Sequence, residues 1–149
     1  HDVKDIPDGA TIAIPNDPTN GGRGLLLLQR AGLLKLKDGV GMKATPKDVV
    51  DNPKHLKFKE LEAAQLPRSL ADVDAAAITM NYVMSGGLDV KKQNIFLEPK
   101  DEPLAVMIIA ARNKDKDKEA YKAFVKAYQS EAVKKFIADK YKGTIEPAF

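Results

Sequence analysis

Apolar residues in this chain fall into short runs of strand character separated by segments with helical spacing. Thr11 to Ile14 is β-prone and stops at Pro15. A polar stretch then leads into Leu25-Leu26-Leu27-Leu28, which predicts a helix over about Thr19–Ala31, ended by Gly32. Thr45-Pro46 predicts a short helical turn. Leu56-Lys57-Phe58-Lys59-Glu60-Leu61 alternates apolar and charged positions, the pattern of a half-exposed strand. A brief helix is expected around Ala63–Leu66, ending near Pro67, followed by a buried strand over Asp72–Ile78 that feeds a turn at Asn81. Leu104 to Ala111 is the clearest apolar strand. Strands alternating with helical connections predict an α/β fold with parallel pairs and helix-covered faces.

The last third reads differently. Tyr121, Phe124, Val125 and Tyr128 share one helical face. Val133, Phe136 and Ile137 repeat the pattern after Ser130, a suitable cap. Aromatics at this spacing are core-forming in most proteins, so these two helices need a surface to bury against.

The richest chemistry lies in Ile14-Pro15-Asn16-Asp17-Pro18-Thr19-Asn20-Gly21-Gly22-Arg23. The first turn of a helix leaves backbone N–H groups without partners and carries a partial positive charge, so it stabilises a carboxylate or phosphate. Asp17 or Thr19 can cap one of those donors, and Gly21 and Gly22 would let a ligand reach the backbone without a Cβ in the way. Arg23 adds a planar fork that matches a carboxylate. The same residues are also compatible with an ordinary capped helix start and a solvated arginine. No Lys-Ser or Lys-Thr follows the glycines, so a nucleotide phosphate loop is excluded.

Length and charge narrow the class further. The 149 residues, 44% hydrophobic, can bury a core of their own. With 24 basic and 21 acidic residues the net charge is only +3, and no stripe suited to nucleic acid is expected. There is no cysteine, so neither disulfides nor thiolate metal sites are expected. No apolar run is long enough to span a bilayer and no secretory leader is read, which predicts solubility for these residues. His1 and His55 are the only histidines, and no nucleophile, base and orienter stand together. Asp72 and Asp74 share a strand face, where solvated or capping roles suit them better than paired-carboxylate chemistry. No cluster has metal-ligand spacing. The expectation is a non-enzyme without cofactor or metal.

Several long blocks carry a resemblance. The stretch from Ile14 to Arg23, Leu56 through Arg68, Val73-Asp74-Ala75-Ala76, Asn81-Tyr82, Ser130-Glu131-Ala132-Val133 and Tyr141-Lys142-Gly143 occur in one order. Together they resemble the methionine-binding lipoproteins of bacterial ABC importers, the NlpA-type substrate-binding proteins, over nearly the whole chain. The resemblance implies a periplasmic-binding-protein-like (type II) architecture, in which two α/β lobes close over a free amino acid. It further implies that residues 1–112 form the second lobe with its return strand. Residues 113–149 would then form a helical segment that normally packs on the first lobe. The first lobe, with its aromatic pocket and lipidated cysteine, would be largely missing.

What the resemblance implies for the site is specific. Arg23 matches the family arginine that pairs with the ligand carboxylate, supported by the helix start at Asn20, Gly21 and Gly22. Asn81 matches a family asparagine that hydrogen-bonds the ligand backbone; an amide offers a zwitterion both donor and acceptor, although taken alone Asn81 also suits a turn. Asn16 and Asn20 are weaker candidates, closer to turn formers. Many members carry another asparagine three residues after the proline that opens the return strand. Here that position, after Pro103, is Val106, which puts in question whether the ligand is methionine or a related amino acid. The implied partners are an inner-membrane ABC permease and its ATPase, and the implied location is the periplasmic side of the cell envelope, lipid-anchored in the parent protein. A ligand-free structural or interaction module on the same fold is the alternative. The stranded apolar faces of the C-terminal helices predict a homodimer or higher oligomer, with segment exchange through a hinge at Asn113–Lys118. Helices folded back on their own lobe would instead give a monomer.

Overall fold

A computed structural model describes residues 2–99 and 106–149. It divides between Glu98 and Pro99 into two compact units. Residues 106–112 fall in the same unit as the C-terminal helices.

The first unit is built around β1 (Thr11–Pro15), whose residues from Ile12 to Pro15 are all buried. Such a run suits a central strand covered on both faces. It pairs in parallel with β4 (Lys57–Leu61) on one side and β5 (Ala75–Ala76) on the other, giving the order β4-β1-β5. Between β1 and β4 come α1 (Pro18–Arg30) and an antiparallel pair, β2 (Lys35–Leu36) with β3 (Val49–Asp51). The pair was not anticipated, because strands this short carry no periodicity. The turn expected at Thr45-Pro46 forms as a 3₁₀ turn over Pro46–Asp48.

Helix α1 owes its ends to local chemistry. Pro18 at the first position loses no hydrogen bond, since that N–H has no helical partner. At the other end Gly32 takes φ +74°, its N–H donates to the Gln29 carbonyl and the Leu33 N–H donates to that of Leu28. That is a Schellman stop, and Leu33 and Leu28 bury beside it. Gly21, Gly24, Leu25 and Leu28 lie on the buried face. Ile12, Ile14, Leu25 and Leu66 form the centre of the core, each removed from water at about 1.5–3 kcal/mol.

Three expectations need correction. Pro67 does not end a helix: a 3₁₀ turn over Ala63–Gln65 runs into α2 (Leu66–Ser69), where Pro67 occupies the first turn and removes no needed donor. The strand expected over Asp72–Ile78 is only Ala75–Ala76, although Asp74 N–H and Ala77 N–H still donate to Thr11 and Ala13 carbonyls at 3.0 and 2.9 Å. Asn81 is not at a strand end. It lies in the first turn of α3 (Met80–Ser85), which begins after Thr79. A last helix of this unit, α4 (Val90–Gln93), precedes an apolar segment whose Ile95 packs on the core.

In the second unit Leu104 and Ala105, like Pro103, lie outside the described residues, and 106–111 form no strand. Among the described residues no neighbouring strand pairs with them, and a strand without a partner leaves its ladder groups unsatisfied. Helices α5 (Glu119–Tyr128) and α6 (Glu131–Tyr141) form as expected, and Ser130 Oγ caps α6 by accepting from Val133 N–H at 3.4 Å. Buried Asp115 ties the preceding turn, with Arg112 Nε at 3.3 Å and Lys118 Nζ at 2.6 Å.

Candidate functional site

The turn from β1 into α1 is set by Asp17. Its backbone is extended (φ −80°, ψ 145°), and its carboxylate accepts from Asn20 N–H at 2.9 Å. The Asn20 side-chain amide donates to both Asp17 oxygens, at 3.1 and 3.0 Å, and Gly21 N–H bonds to the Asp17 carbonyl. The N–H of Asn20, then its side-chain amide and nearby backbone donors, hold the Asp17 carboxyl below its ordinary value of 3.8. The helix start therefore already carries an anion, supplied by the chain itself.

The glycines serve packing. A Cβ on Gly21 would come within 2.7 Å of the Pro15 carbonyl oxygen, and one on Gly22 would run into the Met42 carbonyl oxygen. These hydrogens let α1 lie directly against the end of β1 and the 3₁₀ turn Gly41–Lys43. Gly24 similarly approaches Ala77, at 3.3 Å from an added Cβ to the Ala77 Cβ.

Arg23 projects from the first turns of α1 and is partly buried. Its Nε donates to Glu98 Oε1 at 2.8 Å and its Nη2 to Glu98 Oε2, a two-point pairing. Glu98 was not singled out from the sequence. Its partner is 75 positions away, so no local spacing could reveal it.

The remaining candidates separate. Asn16 is exposed, and its backbone N–H donates to the Leu61 carbonyl at 2.8 Å, closing the β1–β4 ladder. Asn20 is committed to Asp17. Asn81 is exposed, in the first turn of α3. Val106 is exposed and belongs to the second unit. Asp74 is structural: its Oδ2 accepts from Thr11 N–H at 2.8 Å, fixing the entry of β5 beside β1. Among the described residues no group of three acidic or histidine side chains could hold a metal ion, and no helix is long and apolar enough to cross a membrane.

The family described as NlpA lipoprotein matches residues 1–149. The chain belongs to the NlpA lipoprotein family. The D-methionine-binding lipoprotein MetQ of Escherichia coli O157:H7 is 54% identical over 133 residues, which is 88% of this chain and 49% of that protein. A nutrient-binding protein from Burkholderia cenocepacia, solved bound to methionine, superposes with TM-score 0.86 at 46% identity, covering 99% of this chain and 62% of the other. An ABC transporter periplasmic substrate-binding protein from Coxiella burnetii gives 0.88 at 39% identity, covering 99% and 61%. The chain thus spans about half the length of the curated relatives it matches. Its α/β fold is that of part of a periplasmic substrate-binding protein, and the NlpA family consists of binding proteins, not enzymes.

Proposed function

We propose that this chain is part of the substrate-binding component of a bacterial ABC amino-acid importer, and that Arg23 anchors the carboxylate of methionine or a close relative. Residues 1–112 act as the second lobe of a two-lobed protein, with the ligand in the cleft between lobes, and 113–149 as the segment that serves the other lobe. The protein works on the periplasmic side of the cell envelope as a lipid-anchored component delivering ligand to a membrane permease and its ATPase. The observation that carries this reading is a partly buried arginine, held flat by two hydrogen bonds at a helix start, in a chain whose relatives are named for binding methionine. Asn81 supplies an exposed amide for the ligand backbone, and Gly21 and Gly22 keep α1 low on the sheet. Asn16 and Asn20 support the turn.

Calorimetry of the full-length protein against methionine and a panel of amino acids tests the reading. Hydrogen bonds to a charged group contribute about 1.5–3 kcal/mol, so Arg23→Ala should weaken binding by roughly one to two orders of magnitude. Undiminished affinity would refute the site. The 149-residue chain alone should bind weakly, because closure between two lobes supplies contacts from both sides and excludes water.

A further inference from the structure

Glu98 reaches Arg23 by packing, not by accident of a loose tail. Ile95 and Phe96 line a small apolar cavity of about 50 Å³ together with Leu27 and Leu28 of α1 and Ala75 to Ala77. Leu27 stands four residues after Arg23, on the same helix face. The segment therefore runs along α1 toward its start, and two residues beyond Phe96 the Glu98 carboxylate meets the guanidinium. Both side chains are largely withdrawn from water, at 26% and 20% exposure. The pairing uses the Nε/Nη2 edge of Arg23, which fixes the plane of the fork.

Charge is the consequential feature. Arg23 alone is a cation that would accept any carboxylate. With Glu98 locked against it, a second carboxylate approaching the guanidinium must also approach the carboxylate of Glu98. A zwitterion is different, since it brings an ammonium. The Glu98 oxygens have more acceptor positions than Arg23 uses, so they can take hydrogen bonds from that ammonium.

We propose that Glu98 is a specificity-determining residue, which makes the Arg23 site selective for α-amino acid zwitterions and disfavours carboxylates that lack the ammonium. This rests on the reading of Arg23 as the carboxylate anchor. The discrimination is partly repulsive: a competing ligand is excluded by an unpaired like charge.

Two measurements test it, with 4-(methylthio)butanoate, which is methionine without its amino group, as the probe. In the 149-residue chain, the Arg23 Nε–H resonance followed by ¹⁵N NMR should be protected from exchange and unmoved by the probe. In Glu98→Gln, an isosteric neutral change, protection should fall and the probe should shift the resonance. In the full-length protein, the affinity ratio of methionine to the probe should fall at least about tenfold in Glu98→Gln. An unchanged ratio, or equal weakening of both ligands, overturns the proposal and reduces Glu98 to a structural partner. An unprotected Nε–H in the unmodified chain overturns it too. Retained methionine binding in Arg23→Ala would instead refute the anchor itself, so the two failures are distinguishable.

Discussion

Gly22 has the least room of the glycines at the start of α1, because the Met42 carbonyl occupies the place of a side chain. Backbone cannot swing aside as a flexible side chain does. Gly22→Ala should therefore destabilise the protein by about 1–3 kcal/mol, read as a lower denaturant midpoint with an unchanged slope. Gly24→Ala, which meets a methyl group at 3.3 Å, should cost less. Asp17 makes a prediction of a different kind. Removing an N-cap costs about 0.5–2 kcal/mol, so Asp17→Ala should be less stable by that amount at neutral pH. Because the folded-state pKa is depressed, the carboxylate's stabilisation is fully present above the ordinary value of 3.8 and is lost as pH falls through the lower folded value. Melting curves of the two proteins should accordingly converge as the pH is taken from 5 to 2. A constant difference across that range would mean that the cap does not depend on the charge.

Among the elements, those legible in the sequence are those whose determinants are local. Pro18, the apolar spacing through Leu28 and Gly32 define α1 within its own residues, and the alternation from Leu56 to Leu61 defines β4. Ser130 and the apolar face behind it define α6. Elements that depend on a distant partner were misjudged. Ala75 and Ala76 look like part of a long buried strand, but only β1 decides how much of it pairs, and Thr79 starts α3 soon after. The apolar stretch ending at Ala111 has strand composition and, among the described residues, no strand beside it. Within the site the same division holds: the Asp17 cap and the position of Arg23 were readable, whereas Glu98 and the packing role of the glycines required the fold. The turn into β4 shows how strongly one side chain can set an element. Asn52 Oδ1 accepts from Leu56 N–H at 2.9 Å and its Nδ2 donates to the Leu56 carbonyl at 3.0 Å, holding His55 at φ +51°. Leu56 is buried, so Asn52→Ala leaves both backbone groups in need of partners and should cost about 1–3 kcal/mol, with faster amide exchange at Leu56 and Lys57 as the local signature.

At the scale of the whole molecule, the two units differ in how they use apolar residues. Every buried hydrophobic residue among those described, from Ile6 to Ala77, lies in the first unit. In the second, Met107 and Ile108 are 93% and 80% exposed, and Phe124, Tyr128 and Phe136 each keep more than half of their surface in water. Ile109, Tyr121, Phe124 and Val125 line an open, largely apolar groove of about 550 Å³. Apolar surface of this extent finds partners, and each large side chain buried contributes roughly 1.5–3 kcal/mol. The 149-residue chain should therefore associate into dimers or larger species as its concentration rises, which multi-angle light scattering over a dilution series will read directly. Phe124→Ser with Phe136→Ser should return it to a monomer. The turn at Asp115, which Arg112 and Lys118 hold in place, opposes exchange of this segment between chains. If association proceeds by exchange, Asp115→Asn should raise the dimer fraction by loosening that turn; if it proceeds by simple contact of apolar faces, the same substitution should leave it unchanged. A single monomeric mass at millimolar concentration would rule out both routes.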